Sequence, residues 1–583
     1  MKKIIYILCL NILLYASGFG NGFGNGFGGG KSYNFDAVDK NKEENITTKK
    51  IGYDIYLTVK EKDDKSFTGT VYTVARDEND NNLSDVNETE WDNETSKDVT
   101  LTGVDKNISK KAHIYIEWKY SKMMKTTSGE NNSTDDFAII PTKYLFNIQN
   151  NAVIKAGETY EVNATDDDNT TQLYDQNLSN DKSDRNATLI YHLNGNDTPE
   201  NFNIEFKDGN AKFYIKDVGL YTLEFNDTNY SAIDEDDGTK EKDRTIYGEI
   251  NVSVIPYKFK INLKNKTIYT PIYIGDKNYT LELNLTALNK QNEITANFDK
   301  DKNATDVNIS LEFNNTLAWS NENIDLNYSI TTKNSDDKFV KLENKLQDIN
   351  YTLLESNFTN GVADFRIDLY MQKNISLPNS PVDINIKEVN TTASDIINDG
   401  LVLDDNITFY YTKLLTEDVF TTYKETNSSI VLLVYDVNNS DASNRDLNIM
   451  SLINWYKLNK EFDINNYIMK ENSNFSSDNI DINLTLYSGI GENNISIDNN
   501  TTPQTTKGII HLDTPSYLWY SKFNEVYSYS NSSNCINHYC ITYQYKNINN
   551  SSQSDVGSGT FEGSEVNNTL EVNSSHKGIK LYR

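Results

Sequence analysis

The most frequent motif with chemical meaning is an asparagine acceptor sequence with an acidic residue two positions before it. Asn-x-Ser/Thr is the acceptor of N-linked glycans, so each occurrence is a candidate modification site. Eight such asparagines are Asn45, Asn87, Asn107, Asn163, Asn251, Asn278, Asn308 and Asn406. The solvent-facing side of a β-strand also reads polar-x-polar-x-polar, so the same letters arise without modification. The sequence leaves both interpretations open and places loop sites first.

The acidic character of the motif is similar to the extended acceptor of bacterial N-glycosylation. Acidic loops offer a second chemistry, because calcium takes six to eight oxygen ligands from flexible segments. Two sets have suitable residue types: Asp77, Asn79 and Asn81, and Asp234, Asp236 and Asp237. In the first set, Asn82 stands where a helical calcium loop needs glycine, and the flanking segments alternate like strands. We therefore favour solvated turns, and calcium is the one cofactor that the sequence supports.

Cysteine usage points to a local disulfide. Once a leader containing Cys9 is removed, only Cys535 and Cys540 remain, in SNCINHYC. Two cysteines five residues apart in an exported chain most often pair with each other. His538 between them raises a zinc alternative, but a zinc site needs three or four protein ligands, and the sequence shows too few.

Catalytic motifs do not stand out. None of the five histidines forms a recognisable nucleophile–base arrangement, and Gly-x-Ser-x-Gly, His-Glu-x-x-His and phosphate-binding glycine loops do not occur. His113 lies in HIYIEWKY, where alternation places it with Tyr115 and Glu117 on the polar face, so we expect it to face solvent. The five tryptophans could stack on sugars, although filling cores is their commoner role. The sequence predicts a non-catalytic protein.

Composition narrows the class of partner. The 85 acidic and 55 basic residues give a net charge of −30, and no basic stripe with interleaved aromatics is visible. Binding to a phosphate backbone needs clustered Lys and Arg, so nucleic acid is not expected as a partner. Alternating patterns and 38 Tyr with 23 Phe favour a folded, strongly solvated chain over a disordered one.

The amino terminus predicts export. Met1-Lys2-Lys3 and the apolar run from Ile4 to Ala16 form a signal peptide, residues 1–18, with cleavage after Gly18 or alternatively after Ala16. Residues 19–31 repeat a Gly-Phe-Gly-Asn unit and read as a flexible linker. No later segment is long and apolar enough to predict a membrane span in the mature chain. We expect a protein at the cell surface, outside the cell or in the periplasm.

Period-two alternation then recurs to the carboxyl terminus and predicts tandem β-sandwiches. The predicted units are residues 32–135, 136–255, 256–405 and 406–583, the last with one or two sandwiches. Ile-Pro-Thr-Lys-Tyr and Ile-Pro-Tyr-Lys-Phe, which begin at Ile140 and Ile255, read as an internal repeat. Residues 208–227 contain two alternating runs on either side of Val218-Gly219, and these predict a β-hairpin.

Short motifs in these units resemble bacterial immunoglobulin-like modules of surface proteins. They are Ala75-Arg-Asp77, Ala164-Thr-Asp166, Gly209-Asn-Ala-Lys-Phe213 and Gly219-Leu-Tyr-Thr222. The wider arrangement, including DFAIIPTKY and TPSYLWYSKF, is similar to large exported proteins related to the MSHA-pilus accessory protein. The resemblance implies an all-β chain of tandem immunoglobulin-like antiparallel β-sandwiches at the cell surface. It carries over no catalytic residues.

Together these features predict an exported protein that acts in adhesion or in cell-surface or pilus-associated assembly. Its expected partners are other surface or pilus proteins, or glycans and surfaces of a host or the environment. The alternatives are a secreted carbohydrate-active enzyme with β-sandwich accessory modules, and a structural spacer.

Overall fold

A computed structural model describes residues 32–434 and six later segments, 465–469, 480–483, 494–498, 506–513, 516–518 and 539–545. Within the first range it leaves out 41–44, 106–107, 123–124, 170–172, 268–271, 317–323, 334–337, 343–344, 375–378, 417–418 and 424. The predicted signal peptide, the glycine-rich linker and Cys535 lie outside the described residues.

The described chain is built almost entirely from β-strands, because apolar and polar side chains alternate along it. In Ile246–Ile255, IYGEINVSVI, every second residue is buried and the residues between them reach solvent. The described helical elements are α1 (Glu241–Arg244) and the 3-10 turns Glu355–Asn357 and Ser516–Leu518. In this part of the chain, no helix has the length and apolar character needed to cross a membrane.

The first module has nine strands in two sheets. They are β1 (Phe35–Asp39), β2 (Lys49–Lys50), β3 (Ile55–Glu61), β4 (Phe67–Asp77), β5 (Asn87–Glu94), β6 (Ser96–Leu101), β7 (Ser109–Lys122), β8 (Lys125–Asn132) and β9 (Phe137–Ile140). One sheet has the order β1-β3-β6. The other has the order β2-β9-β7-β4-β5, with β8 paired to β7.

The second module repeats this plan. Its strands are β10 (Lys143–Phe146), β11 (Ala152–Lys155), β12 (Tyr160–Thr165), β13 (Asn177–Ser179), β14 (Arg185–Leu193), β15 (Asn196–Glu205), β16 (Asn210–Phe213), β17 (Gly219–Asp227) and β18 (Ile246–Ile255). A three-stranded sheet, β10-β12-β16, faces a six-stranded sheet of order β11-β18-β17-β14-β15-β13.

The third module is the largest. Its strands are β19 (Lys258–Lys266), β20 (Ile272–Tyr273), β21 (Tyr279–Leu288), β22 (Val307–Phe313), β23 (Asp325–Thr332), β24 (Val340–Lys341), β25 (Ile349–Leu353), β26 (Val362–Gln372), β27 (Val382–Thr391), β28 (Ile397–Asp399) and β29 (Leu401–Tyr410). The sheet orders are β24-β23-β26-β21-β19-β28 and β20-β29-β27-β22-β25.

The described part of the fourth module contains two four-stranded sheets. Its strands are β30 (Thr412–Thr416), β31 (Val419–Thr421), β32 (Glu425–Val434), β33 (Asn465–Met469), β34 (Ile480–Asn483), β35 (Asn494–Asp498), β36 (Thr506–Asp513) and β37 (Tyr539–Tyr545). The orders are β30-β32-β35-β34 and β31-β37-β36-β33. Strand β32 contains the apolar run IVLLV and is central in its sheet.

One topological feature recurs in all four modules: a short early strand pairs in parallel with the last strand that the structure describes in that module. The pairs are β2 with β9, β11 with β18, β20 with β29 and β31 with β37. The other pairings are antiparallel apart from β19 with β28. Two packed sheets closed in this way give the immunoglobulin-like sandwich, so the predicted all-β tandem fold is confirmed.

Aromatic side chains fill the core of the first module. Phe35, Phe67 and Trp91 are almost fully buried, with ring centroids 5.2 Å apart for Phe35 and Phe67 and 5.4 Å apart for Phe35 and Trp91. Trp118 packs beside Phe67 at 6.1 Å. Each large side chain buried in this way contributes about 1.5–3 kcal/mol. These two tryptophans therefore serve the core.

The predicted hairpin over residues 208–227 is wrong. Strand β16 pairs with β12 in the three-stranded sheet, whereas β17 pairs with β14 and β18 in the opposite sheet. The two apolar faces, with Phe213 on one strand and Phe225 on the other, meet across the sandwich. Alternation identified both strands correctly, but it carries no information about which sheet a strand joins.

Successive modules follow one another with almost no linker. Pro141 and Thr142 separate β9 from β10, Pro256 and Tyr257 separate β18 from β19, and Tyr411 alone separates β29 from β30. Sheet membership thus divides the chain slightly later than the predicted unit starts at 136 and 406. The Ile-Pro repeat lies at the first two of these joints.

Candidate functional site

The first acidic loop uses its carboxylate to close a turn. Asp77 Oδ1 accepts hydrogen bonds from the backbone N–H groups of Asn79 (2.9 Å) and Asn81 (2.8 Å), and Oδ2 accepts from Asn81 Nδ2 (2.9 Å). Burial raises the pKa of Asp77, but these bonds outweigh it and hold the pKa below its ordinary value. The loop is exposed and its local turn is satisfied from within.

The second acidic loop lies at the joint between the first and second modules. Asp234 is buried, and its Oδ2 accepts from the hydroxyl of Thr48 and from the backbone N–H of Ala138 at 3.2 Å. Its Oδ1 has no hydrogen-bond partner. Burial, together with the smaller effect of the neighbouring Asp237 and Asp135 carboxylates, raises the pKa of Asp234 to about 6 against these two hydrogen bonds.

The remaining members of that set have different surroundings. Asp237 Oδ1 accepts from the backbone N–H of Thr239 at 2.7 Å, its Oδ2 is buried without a partner, and Asp236 is exposed. Within the described ranges, no three His, Cys, Asp or Glu side chains are placed to hold a metal ion. Calcium binding stays a prediction that titration can decide.

Five of the candidate glycosylation sites lie on strands. Asn87 donates to the Thr100 carbonyl (3.0 Å), and Asn163 accepts from Asn210 Nδ2 (2.7 Å). Asn45 and Asn278 lie in loops, and Asn107 falls outside the described residues.

Among the seven candidates that the structure describes, Asn308 and Asn406 have an exposed side chain. Asn308 Oδ1 also accepts from Thr352 Oγ1 on the neighbouring strand at 2.7 Å. Four of the five strand sites, Asn87, Asn163, Asn251 and Asn308, thus form side-chain hydrogen bonds to neighbouring strands, which agrees with the alternative interpretation of the motif. Modification of any of them stays a prediction.

His192 belongs to a series of hydrogen-bonded polar side chains that the sequence analysis did not predict. His192 Nδ1 lies 2.6 Å from Asp197 Oδ1, and its Nε2 lies 2.7 Å from Thr222 Oγ1. Thr222 Oγ1 in turn donates to Asn251 Oδ1 at 2.5 Å. The available signal was Asn194-Gly195, both with positive φ, whose two-residue turn places His192 opposite Asp197.

The order carboxylate, imidazole, hydroxyl is that of acyl-transfer triads, but the surroundings here do not support that chemistry. Thr222 donates its only hydroxyl proton to Asn251. That proton therefore points away from His192 and is not positioned for transfer to the imidazole. Strand β17 is paired on both sides, so its backbone N–H groups are engaged in the ladder and form no oxyanion hole. We interpret these side-chain hydrogen bonds as structural contacts that fix the side chains on this face of the sheet.

His113 occupies the face that alternation predicts, opposite the buried Ile114, Ile116 and Trp118. Its side chain is only 13% exposed, however, and its Nε2 lies 3.5 Å from Asp80 Oδ1. The predicted face of His113 is therefore correct, but the expectation that its side chain is exposed to solvent is wrong. The loop from Asp77 to Asn81 folds back over the strand end and covers it.

Each of the first three modules carries two glutamates directly opposite each other on neighbouring strands. Like charges at such positions destabilise a sheet. In the first module the pair is Glu117 and Glu130, and Lys119 binds Glu117 at 2.8 Å. In the third module it is Glu312 and Glu388, and Lys387 contacts both carboxylates, at 2.7 and 3.1 Å.

The second module differs at the corresponding pair, Glu224 and Glu249. The hydroxyl of Tyr247 donates to Glu249 Oε2 at 2.7 Å, and no lysine or arginine in the described part of the chain forms an ion pair with either glutamate. This face also exposes large apolar side chains. Val153 is 65% exposed, Leu220 54% and Tyr247 49%.

The joint between the second and third modules is built from amides. Asn289, Gln291 and Asn297 of the β21–β22 connection reach the second module. Gln291 Nε2 donates to the Gly157 carbonyl at 3.0 Å, and the N–H of Asn297 donates to both Asp217 oxygens, at 3.0 and 3.2 Å. Gly157 has φ +73°, and a Cβ there would lie 2.1 Å from Gln291 Oε1, so only glycine permits this contact.

A buried lysine marks the joint between the third and fourth modules. Lys373 Nζ donates to the carbonyls of Thr412 and Tyr517 and lies 4.3 Å from the Tyr411 ring centroid. Burial holds its pKa well below the ordinary value. Tyr273 stacks on Tyr517 with ring centroids 5.9 Å apart. All four described modules are thus in contact with their neighbours along the chain.

Comparison with known proteins yields structural neighbours only. No protein-family model matches the chain, and no curated protein matches it. The tetra-tandem repeat in the extending region of a large adhesion protein is 8% identical with a TM-score of 0.22, over 88% of this chain and 98% of that chain. The FN1-FN3 domains of chicken CNTN1 are 6% identical with a TM-score of 0.19, over 60% and 93%.

A third neighbour is the calcium binding domain CBD12 of CALX1.1, which is 8% identical with a TM-score of 0.14, over 36% of this chain and 96% of that chain. TM-scores this low carry no inference about ligand or activity. The neighbours therefore include tandem modules of an adhesion protein, and they leave the resemblance to the MSHA-pilus accessory family untested.

Proposed function

We propose that this chain is an exported, non-catalytic surface protein that acts in adhesion or in cell-surface or pilus-associated assembly. The observation that supports the proposal is the series of immunoglobulin-like sandwiches, joined through one or two residues and fastened at each joint by side-chain contacts. Such a series projects binding faces away from an attachment point without free hinges between them. The net charge of −30 keeps an exported array of this kind soluble.

The experiment is deletion of the gene followed by complementation. We expect protease shaving and surface labelling of intact cells to reach the protein, and we expect the deletion to reduce attachment to surfaces or the amount of assembled surface fibres. Complementation with the full chain should restore both. A protein that stays in the cytoplasm, or a deletion strain with unchanged attachment and unchanged surface assembly, would contradict the proposal.

A further inference from the structure

We propose that the outward face of the second module's six-stranded sheet docks a basic protein surface, with a lysine or arginine side chain of the partner between Glu224 and Glu249. The proposal deepens the proposed function, because it names the face and the chemistry of the partner. The proposal rests on a difference between the second module and its two neighbours. In the first module Lys119 binds one of the two opposed glutamates, and in the third module Lys387 contacts both, whereas no lysine or arginine among the described residues forms an ion pair with Glu224 or Glu249.

The register shows that the exposed residues form one continuous surface. Glu249 lies opposite Glu224, Asn251 opposite Thr222, and Ser253 opposite Leu220. Val153 on β11 pairs with Ser253 and therefore extends the same row as Leu220. Neighbouring strands lie about 4.8 Å apart, and successive outward residues on one strand lie about 6.8 Å apart. Four strands with four outward residues each therefore cover roughly 14 by 20 Å.

The face combines the two features that a basic, partly apolar surface would contact. The glutamate pair offers negative charge that no described lysine or arginine pairs with, and Tyr247, Leu220 and Val153 offer apolar area beside it. The hydrogen bonds that run from Asp197 through His192 and Thr222 to Asn251 hold the side chains between the glutamate pair and Leu220. A second copy of the chain is disfavoured as the occupant, because two molecules of net charge −30 repel each other.

The size of the face predicts weak individual contacts. A stable protein interface buries about 800 Å² on each partner, and this surface offers less than half of that. We therefore expect binding that depends on many copies at the cell surface and weakens as salt rises, because the charges are exposed.

The test uses the full exported chain and a fluorescent peptide of alternating lysine and leucine, with binding followed by fluorescence anisotropy. We expect Glu224→Gln with Glu249→Gln to weaken peptide binding at least about tenfold, since both charges of the pair are lost. The matched control is Glu312→Gln with Glu388→Gln, which removes the same charge from a pair that Lys387 already balances. We expect the control to bind like the unmodified protein.

A second variant separates loss of charge from loss of fold. Lys119 lies two residues after Glu117 on the same strand, so Asn226→Lys places a lysine two residues after Glu224. We expect this variant to melt at or above the temperature of the unmodified protein and to bind the peptide at least about tenfold more weakly. Equal weakening in the third-module control, or unchanged binding in both second-module variants, would overturn the proposal.

The outcomes also distinguish this inference from the proposed function. If deletion of the gene leaves attachment unchanged while peptide binding still depends on Glu224 and Glu249, the docking face stands and the adhesive role fails. If attachment requires the protein but the double glutamine variant binds the peptide normally, the role stands and this face is excluded.

Discussion

The first two joints between modules both depend on a buried or half-buried aspartate, but the hydrogen bonds that the two carboxylates accept are very different. At the second joint, Asp217 receives N–H groups from Asn297 and from Val218, the latter at 2.8 Å. At the first joint, Asp234 receives one N–H group and one hydroxyl, and one of its oxygens is unpartnered. Each carboxylate thus has two donor groups in these bonds, but both oxygens of Asp217 accept a hydrogen bond and only one oxygen of Asp234 does.

The pKa values reflect this difference. Burial raises the pKa of Asp217, but the N–H donors and Lys302 counteract much of the shift. Burial, helped by two neighbouring carboxylates, raises the pKa of Asp234 to about 6. A joint therefore becomes sensitive to pH when an oxygen of its buried carboxylate lacks a hydrogen-bond donor, and burial alone does not set the pKa of that group.

The first joint contains a second titrating group of opposite sign. Burial lowers the pKa of Lys50 to about 8, although the carboxylates of Asp243 and Asp167 favour its charged form. Near pH 7 the joint therefore holds two incompletely compensated charges. At the second joint Asp217 is the titrating group, and the N–H groups and side-chain amides around it do not titrate in this range.

The largest expected effect is at the second joint. Asp217→Ala removes the acceptor of the Asn297 and Val218 N–H groups, and two donors without partners cost about 2–4 kcal/mol. We expect hydrogen exchange of the 288–304 segment and of residues 214–218 to speed up by more than tenfold. Unchanged protection in this variant would show that the amides alone hold the joint.

The next effect is a pH profile with a minimum at the first joint. The folded pKa of Asp234 is raised, so its stabilisation is complete below about pH 4 and is lost as pH rises through about 6. The folded pKa of Lys50 is depressed, so stability returns as pH rises from about 8 towards 10. We expect hydrogen exchange around Thr48 and Ala138 to be fastest between pH 6 and 8, after correction for the intrinsic exchange rate.

The matched variant for this profile is Asp234→Asn, which keeps the shape and removes the charge. We expect it to abolish the acid limb of the profile, which is the loss of stability as pH rises from about 4 through about 6. We also expect it to stabilise the joint at pH 7 by about 2 kcal/mol. The Asp217→Asn variant serves as the control and should leave the profile of the first joint unchanged. An acid limb that survives Asp234→Asn would assign the effect to another carboxylate.

A smaller effect follows from the neighbours of Asp234. Asp237→Asn removes one of the carboxylates that raise its pKa, so we expect the acid limb to move to lower pH by a few tenths of a unit. The same substitution at the exposed Asp236 is the comparison variant. Equal shifts in both would mean that general surface charge, rather than proximity, sets the pKa.

Calcium should produce the smallest effect. Because the described loops do not bring three acidic or His/Cys side chains together, we expect millimolar calcium to leave the melting temperature unchanged. A rise that disappears in Asp234→Asn but persists in Asp77→Asn would instead place a cation at the first joint. That result would explain the unpartnered oxygens of Asp234 and Asp237.

Local alternation predicted much of this fold because it depends only on neighbours in sequence. Strand β7 has its buried residues at Ile114, Ile116 and Trp118, as the period of two requires. The Ile-Pro repeat also located two joints closely, since proline cannot donate to a central ladder and suits the start of a strand. These features are properties of short segments.

Sheet membership and long-range contacts were not predictable in the same way. Strands β16 and β17 looked like a hairpin because both have one apolar face, and only the opposing strands decide the sheet that each joins. The contact of Thr48 with Asp234 spans 186 residues and depends on how two modules meet. The pairing of His192 with Asp197 was within reach, because an Asn-Gly turn sets that register.

The parallel pairing of a short early strand with the last strand has a mechanical consequence. Tension on an anchored module pulls the early strand backward and the last strand forward, so the two slide along each other. Their hydrogen bonds are then loaded in shear, together rather than one at a time, and a shared load resists rupture better than sequential unzipping. A molecule that must hold against flow would gain from this arrangement in every one of its modules.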